Sequence, residues 1–305
     1  MRVAVIGSGA IGTLYGGWML AGGADVAFVA RGARFDQIRD RGIVLTGDQG
    51  DFSHHEVTVV RDAADLPPAD VLVFAVKTYD LESAARASSG SLAPGSLVIG
   101  LQNGVDAAAT LGALFDPGQV MVGPVYSAAT LGLDGAVRYG GQRNDVIICN
   151  IHGGTHPLAE PLVAYWREAG VAASISDDIR TALWTKFLFL ATNAALTCLS
   201  RQPAGVVYHD PDLLNLAERS IAEIAAVAAA EGVKLRPDAE EAALAILKGF
   251  PSDVVASMRQ DLDAGRKLEL EAISGTIVRL ARKHGLATPI HDVAYACLKP
   301  FAGGR

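Results

Sequence analysis

The chain has 305 residues, half of them hydrophobic, with 26 Lys and Arg against 33 Asp and Glu and a net charge of −7. That length suggests about two domains, and an acidic balance without any run of Lys or Arg argues against nucleic acid as a partner. Cys149, Cys198 and Cys297 stand far apart in apolar surroundings, which reads as reduced, buried thiols of a cytoplasmic protein. None has metal-ligand spacing with a histidine, so no metal is expected.

Residues 2–12 read Arg-Val-Ala-Val-Ile-Gly-Ser-Gly-Ala-Ile-Gly, a buried strand running into a Gly-x-Gly-x-x-Gly turn. One Arg before an apolar run can mimic a signal peptide, but the glycines break the run and the strand accounts for it. Gly7 lets the chain turn tightly, Gly9 lets backbone N–H groups approach a pyrophosphate, and Gly12 lets the next helix pack close to the strand. The cofactor would therefore lie on Gly7, Ser8, Gly9, Ala10, Ile11 and Gly12, at a helix N-terminus whose unpaired N–H groups favour an anion. The helix runs through Leu14, Tyr15, Trp18, Met19 and Leu20 to Gly22-Gly23, and Asp25 to Ala30 is the second strand. NAD sites usually carry an Asp or Glu at the end of this strand, bonded to the ribose 2′-hydroxyl. Here the strand ends Ala30-Arg31-Gly32. A guanidinium suits a 2′-phosphate that a carboxylate would repel, so the cofactor read from these residues is NADP(H).

Val71 to Val76 is a third apolar strand, closing on Lys77, and Ser96 to Leu101 a fourth, closing on Gln102-Asn103-Gly104. Strand C-termini are where ligands bind in open parallel sheets, so Lys77 and Asn103 share the rim of the glycine turn. Residues 120–150 read as strands joined by the Gly132–Gly135 and Gly140-Gly141 turns, extending the sheet with an antiparallel edge.

From Ser176 the pattern becomes helical. Helices are predicted over 177–199, 213–231, 238–248, 253–264, 268–284 and 289–298, with Ser176 able to cap the first. Pro237, Pro251 and Pro289 lie near starts, and Gly232, Gly249, Gly265 and Gly285 just beyond ends. The fold class is α/β: a Rossmann-type dinucleotide-binding domain over 1–175, then an all-helical domain over 176–305. The apolar run Phe187 to Leu199 is short of the ~20 residues that a membrane span needs and reads as a buried helix, so no membrane is expected.

Within that run Lys186, Leu190, Asn193 and Thr197 fall on one helix face. Burial lowers a lysine's pKa, which suits a general acid; a lysine near a helix end can also simply snorkel to water. Glu269 starts the stripe Ile273, Ile277 and Leu280 of its helix, where a first-turn carboxylate also complements the helix dipole; Glu271 fits that second role better. Ser257 carries no weight by itself. Asn103 can both donate and accept at a strand C-terminus.

Gly7-x-Gly9-x-x-Gly12, Arg31, Val76-Lys77-Thr78, Leu101-Gln-Asn-Gly104, Trp184-x-Lys186 and Ser257-Met-x-Gln-Asp-Leu…Glu269 occur together and in this order. In this the chain resembles the ketopantoate reductases (2-dehydropantoate 2-reductases) over nearly its whole length. The resemblance implies a Rossmann domain followed by a helical domain, an active site in the cleft between them, and NADPH-dependent reduction of a 2-keto acid to a 2-hydroxy acid in pantothenate biosynthesis. It also implies that Lys186 is the proton donor and that Asn103 touches nicotinamide and substrate. Ser257 would bind the substrate carboxylate region, and Glu269 the cofactor ribose or the substrate. Arg31 and Lys77 fall on the adenosine-phosphate side, and Ala128 near a backbone contact to the cofactor.

The chain departs from that pattern where the family's substrate asparagines are expected: Leu190 and Ala194, four and eight residues after the lysine, and Ala204 downstream. Asn193 is placed to replace one of them in substrate binding. The pocket implied is more apolar, which weakens binding of ketopantoate specifically. Two other classes stay open: an NADP-linked oxidoreductase acting on a more apolar carbonyl, and a non-catalytic NADP-binding regulator. The partner expected is a small 2-keto acid, with a homodimer left open.

Overall fold

The computed structural model describes residues 1–140 and 144–305; Gly141, the second glycine of one expected turn, lies outside them. The chain divides into two compact units, Met1–Gln102 with Ala107–Ile179, and Asn103–Asp106 with Arg180–Arg305.

The first unit runs β1 (Arg2–Ile6), α1 (Ala10–Ala21), β2 (Asp25–Val29), α2 (Gly32–Arg41), β3 (Ile43–Gly47), β4 (Phe52–His54), β5 (Thr58–Val60), β6 (Ala69–Phe74), α3 (Leu81–Ser88), β7 (Leu92–Gly100), α4 (Ala107–Gly112), β8 (Val120–Val122), β9 (Ala128–Leu131), β10 (Val137–Gly140), β11 (Asp145–Asn150), α5 (Ala159–Glu168) and β12 (Ala172–Ile175). Its main sheet has eight strands in the order β12-β11-β8-β7-β6-β1-β2-β5. Central strand β1 pairs in parallel with β2 and β6, Val3 lying opposite Val26 and Val71. Such strands are covered on both faces, hence the unbroken apolar runs. Helix α1 turns Leu14, Tyr15, Trp18 and Met19 into this core, where Trp166 of α5 donates its indole N–H to the Tyr15 carbonyl at 3.0 Å.

The antiparallel edge expected from 120 to 150 exists in part. Strand β11 runs antiparallel to β8, but β9 and β10 leave the main sheet for a second one, ordered β4-β3-β10-β9. In β10, Val137 and Tyr139 are buried while Arg138 is exposed. That alternation marks a sheet packed on one face only.

The second unit holds α6 (Ile179–Ser200), α7 (Ala204–Val207), α8 (Pro211–Ala230), α9 (Ala239–Lys248), α10 (Ser257–Asp263), a π-turn (Glu271–Gly275), α11 (Thr276–His284) and α12 (Pro289–Leu298). Helix α6 is long enough to cross a membrane, yet 72% of its most apolar window is buried inside the protein. It is the central helix of this unit's core, with Trp184, Phe187, Leu188 and Ala191 packed among its neighbours. Ser176 lies three residues before the helix and accepts from the Asp178 N–H at 3.2 Å, short of the helix itself. The short helix α7 was not expected.

The helix predicted over 268–284 starts later, at Glu271, as a π-turn that runs directly into α11, so Glu269 precedes the helix whose stripe it was expected to start. The Gly275 N–H reaches back five residues to the Leu270 carbonyl at 2.9 Å, and the π-turn inserts before α11. Cys149 and Cys198 are buried, but Cys297 is exposed, contrary to expectation. Helix α12 buries Ile290, His291, Ala294 and Leu298, and Cys297 falls off that stripe.

Candidate functional site

The glycine turn follows β1 directly. Gly7 adopts φ +98°, and a Cβ there would lie 2.6 Å from the backbone nitrogen of Val76. Only glycine fits both the angle and the approach. A Cβ at Gly12 would strike the Gly7 carbonyl oxygen at 2.0 Å. At Gly9 a Cβ would meet nothing within 4 Å, and the backbone is extended. Packing within the chain therefore does not demand glycine at 9; the space is open for a group outside the chain. That cradle, ahead of the N-terminus of α1, fits a dinucleotide diphosphate.

Ser8 does not face this space. Its hydroxyl is buried and donates to the Val29 carbonyl at 3.0 Å, tying the turn to the end of β2. Arg31 stands two residues further on, exposed, at the N-cap of α2 with extended backbone. The contact between Gly7 and Val76 likewise brings the chain entering Lys77 against the turn. Ala128 opens β9, exposed and paired with Gly140; its neighbour Ser127 meets the hydroxyl of Tyr15 of α1 at 2.9 Å.

Arg34 lies one helical turn after Arg31. Its Nε donates to the Ser8 carbonyl, one terminal nitrogen to Thr13 Oγ1 and the other to the Gly135 carbonyl, each at 2.8 Å. All of these acceptors are neutral. Burial pushes its guanidinium down to about 10, so it is still a cation at neutral pH. A single arginine among the interleaved charges of α2 gives no sequence signal of this arrangement.

The second unit brings together two of the residues singled out for chemistry. Lys186 is buried, 8% exposed, and its Nζ donates to Asn103 Oδ1 at 2.9 Å. The segment carrying Asn103 is held from the other side. Asp106 accepts from the Thr276 hydroxyl at 2.6 Å and from Arg279 at 3.0 and 3.1 Å. Gly104, at φ +88°, lies against the Ala272 carbonyl of the π-turn. Asp106 is 170 residues from Thr276 and 173 from Arg279, so their convergence is not legible in the sequence.

Glu269 is buried, 4% exposed, two residues before the π-turn. Glu271, read as the more ordinary acid, accepts from the Tyr295 hydroxyl at 2.8 Å. Ser257 is the exposed first residue of α10; that helix is tied to α6 by Arg259, which donates to the Thr197 carbonyl at 2.9 Å. Asn193 lies on the buried face shared with Lys186, and its Oδ1 accepts from the Tyr208 hydroxyl at 2.9 Å. Ala194 and Ala204 are core residues, and Leu190 is half-buried.

Below this surface a buried polar chain crosses four elements. Thr192 of α6 meets Ser220 of α8 at 2.9 Å, Ser220 meets His291 Nε2 of α12 at 3.0 Å, and His291 Nδ1 meets Ser274 of the π-turn at 3.3 Å. Glu223 accepts from the N–H groups of Ile290 and His291 and so caps α12 from α8. Burial raises its carboxyl above the usual range.

The family described as ketopantoate reductase PanE/ApbA matches residues 3–150, and its C-terminal domain matches residues 178–302. The 2-dehydropantoate 2-reductase of Halobacterium salinarum is 30% identical over 291 residues, 95% of each chain. A PanE/ApbA family ketopantoate reductase structure from Ralstonia eutropha JMP134 superposes with a TM-score of 0.90 at 32% identity, covering 99% of this chain and 98% of that one. A D-mandelate dehydrogenase solved with NADH and anilino(oxo)acetate has the same fold, with a TM-score of 0.90 at 22% identity over 99% of this chain and 98% of that one. With both halves matched, the chain belongs to the ketopantoate reductase family, oxidoreductases that act on a keto or hydroxy group.

Proposed function

We propose that the protein reduces a 2-keto acid to a 2-hydroxy acid with NADPH, and that its substrate is 2-dehydropantoate, yielding pantoate for pantothenate biosynthesis. The observation that carries the reading is the Lys186–Asn103 pair: a buried ammonium held at 2.9 Å by the amide that follows β7 and Gln102. The first unit would bind the nucleotide, with the diphosphate on residues 7–12, the 2′-phosphate on Arg31 and the adenosine side near Lys77; the second would bind the substrate. NADPH, when bound, supplies the hydride.

The rest falls to the chain. Reduction of a carbonyl puts negative charge on its oxygen, and an ammonium stabilises that charge before giving up a proton from Nζ. Asn103 takes one of the three donors of Lys186 and so fixes where the ammonium points. Glu269 and Ser257 are read as binding groups for substrate or ribose. Asn193 has less to offer a substrate, because Tyr208 already occupies its carbonyl.

A second reading is favoured by Leu190, Ala194 and Ala204: reduction of a more apolar 2-keto acid on the same machinery. The D-mandelate dehydrogenase with anilino(oxo)acetate shares this scaffold. The deciding experiment is NADPH oxidation by the purified protein across a panel of 2-keto acids. The first reading expects ketopantoate to have the highest kcat/KM. A preference for an aromatic or aliphatic 2-keto acid establishes the second, and cofactor binding without turnover of any of them overturns both.

A further inference from the structure

Arg34 is a half-buried cation with neutral acceptors. Among the described residues no carboxylate pairs with it: its partners are the Ser8 and Gly135 carbonyls, the Thr13 hydroxyl and, at 3.3 Å, the Gln37 amide oxygen. The other arginines of α2 are differently placed. Arg39 pairs with Asp36 and Asp40, while Arg41 is exposed and donates to the Asp134 carbonyl. A cation withdrawn from water without a counter-ion is costly unless an anion comes close to it. Arg34 thus touches the glycine turn at Ser8 and the first helical turn of α1 at Thr13, on either side in sequence of Gly9, where a Cβ would meet nothing within 4 Å.

We propose that Arg34 is a positioning residue of the dinucleotide site, which holds the Ser8 carbonyl so that the turn keeps its shape and places a fixed positive charge beneath the diphosphate. This rests on reading residues 7–12 as that site. The guanidinium fork explains the choice of residue: three directed bonds to three segments need an arginine, and a lysine would keep the charge without the geometry. The role differs from that of Arg31, which is exposed and suited to touching the 2′-phosphate. A charge under the turn acts on any ligand with a diphosphate, phosphorylated at the 2′ position or not.

The test is calorimetric titration of the full-length protein with NADPH, NADH, ADP and adenosine at low and high salt, for wild type, Arg34→Met and Arg34→Lys. Removing the charge should weaken NADPH, NADH and ADP alike, by about tenfold or more for a unit charge at partial burial, and flatten their salt dependence. Adenosine, which has no phosphate, should bind as before, and Arg34→Lys should retain more ADP affinity than Arg34→Met. Equal losses for ADP and adenosine would make Arg34 merely structural, and losses confined to NADPH would assign it to the 2′-phosphate; either overturns the proposal, as does no loss. If neither variant folds, the melting temperature of the wild type decides. ADP should raise it at low salt and lose that increment at high salt, and a salt-independent increment overturns the proposal. Failure of the nucleotide reading itself is separately visible, as absence of NADPH and NADH binding to wild type.

Discussion

Lys186 is the residue on which the proposed chemistry depends, and its surroundings set how it can be tested. It is buried and donates to the amide oxygen of Asn103, so a thermal melt of each variant precedes its kinetics. Lys186→Ala should lower kcat by ~10²–10⁴, the usual scale for a general acid, with NADPH affinity nearly unchanged. Lys186→Arg should restore little, because a guanidinium releases no proton near neutrality. Single-turnover NADPH oxidation at saturating substrate reads the step directly, and a folded Lys186→Ala within a few fold of wild type would falsify the assignment. Arg31 makes the complementary case. A charge-assisted hydrogen bond contributes roughly 1.5–3 kcal/mol, so Arg31→Ala should weaken NADPH binding by about one to two powers of ten. NADH binding should hardly change, and equal losses for the two cofactors in titration would remove Arg31 from the 2′-phosphate.

Among the elements, α6 and the π-turn show how far periodicity reaches. The spacing of Lys186, Asn193 and Thr197 placed them on one face, and all three are buried. It did not show that Asn193 serves Tyr208, a contact made between α6 and the residue that follows α7. The stripe Ile273, Ile277 and Leu280 is likewise buried, yet the helix carrying it contains a π-turn. There the Thr276 hydroxyl goes to Asp106 on the segment after β7, a partner 170 residues away in sequence. The asparagine departures on α6 are testable at this scale. Leu190→Asn places an amide at a half-buried position and should raise kcat/KM for ketopantoate relative to an apolar 2-keto acid, if pocket polarity limits it. Ala194→Asn should instead destabilise the protein, since burying an unpartnered amide costs ~1–3 kcal/mol. Thermal melts separate the two effects. An unchanged substrate ratio in Leu190→Asn would show that the pocket's polarity is set elsewhere.

For the whole molecule, His291 links stability to pH. It is fully buried, bonded to Ser220 and Ser274, and burial pushes its imidazole down to about 3 from 6.5. Between those values the unfolded chain binds a proton that the folded chain does not, so stability rises with pH across the window and is lost as pH falls from 6.5 towards 3. The slope from one such group is about 1.4 kcal/mol per pH unit. His291→Gln should lose stability at neutral pH by disturbing the Thr192–Ser220–His291–Ser274 chain, but its unfolding free energy should fall less steeply with acid. Denaturant unfolding at several pH values between 4 and 7 measures both. Parallel pH profiles for variant and wild type would show that His291 is not the group responsible.

Whatever depends on neighbours along the chain is legible without the fold. Strand β1, the turn with its glycines at 7, 9 and 12, and most helix ends follow from local rules of sterics, capping and hydrophobic period. The alternation of strands and helices followed by helices alone implied the fold class. The motif order points to the family and includes both Lys186 and Asn103, though not the bond between them. Contacts between distant segments follow only from the folded chain. The fold moved β9 and β10 into a second sheet, joined Asn103–Asp106 to the helical unit, delayed the 268–284 helix to a π-turn at Glu271, exposed Cys297 and turned Arg34 against the glycine turn. Hydrogen bonds and ion pairs between residues far apart in sequence leave no periodic signal, because their energy depends on where the backbone has brought them rather than on how they are spaced along it.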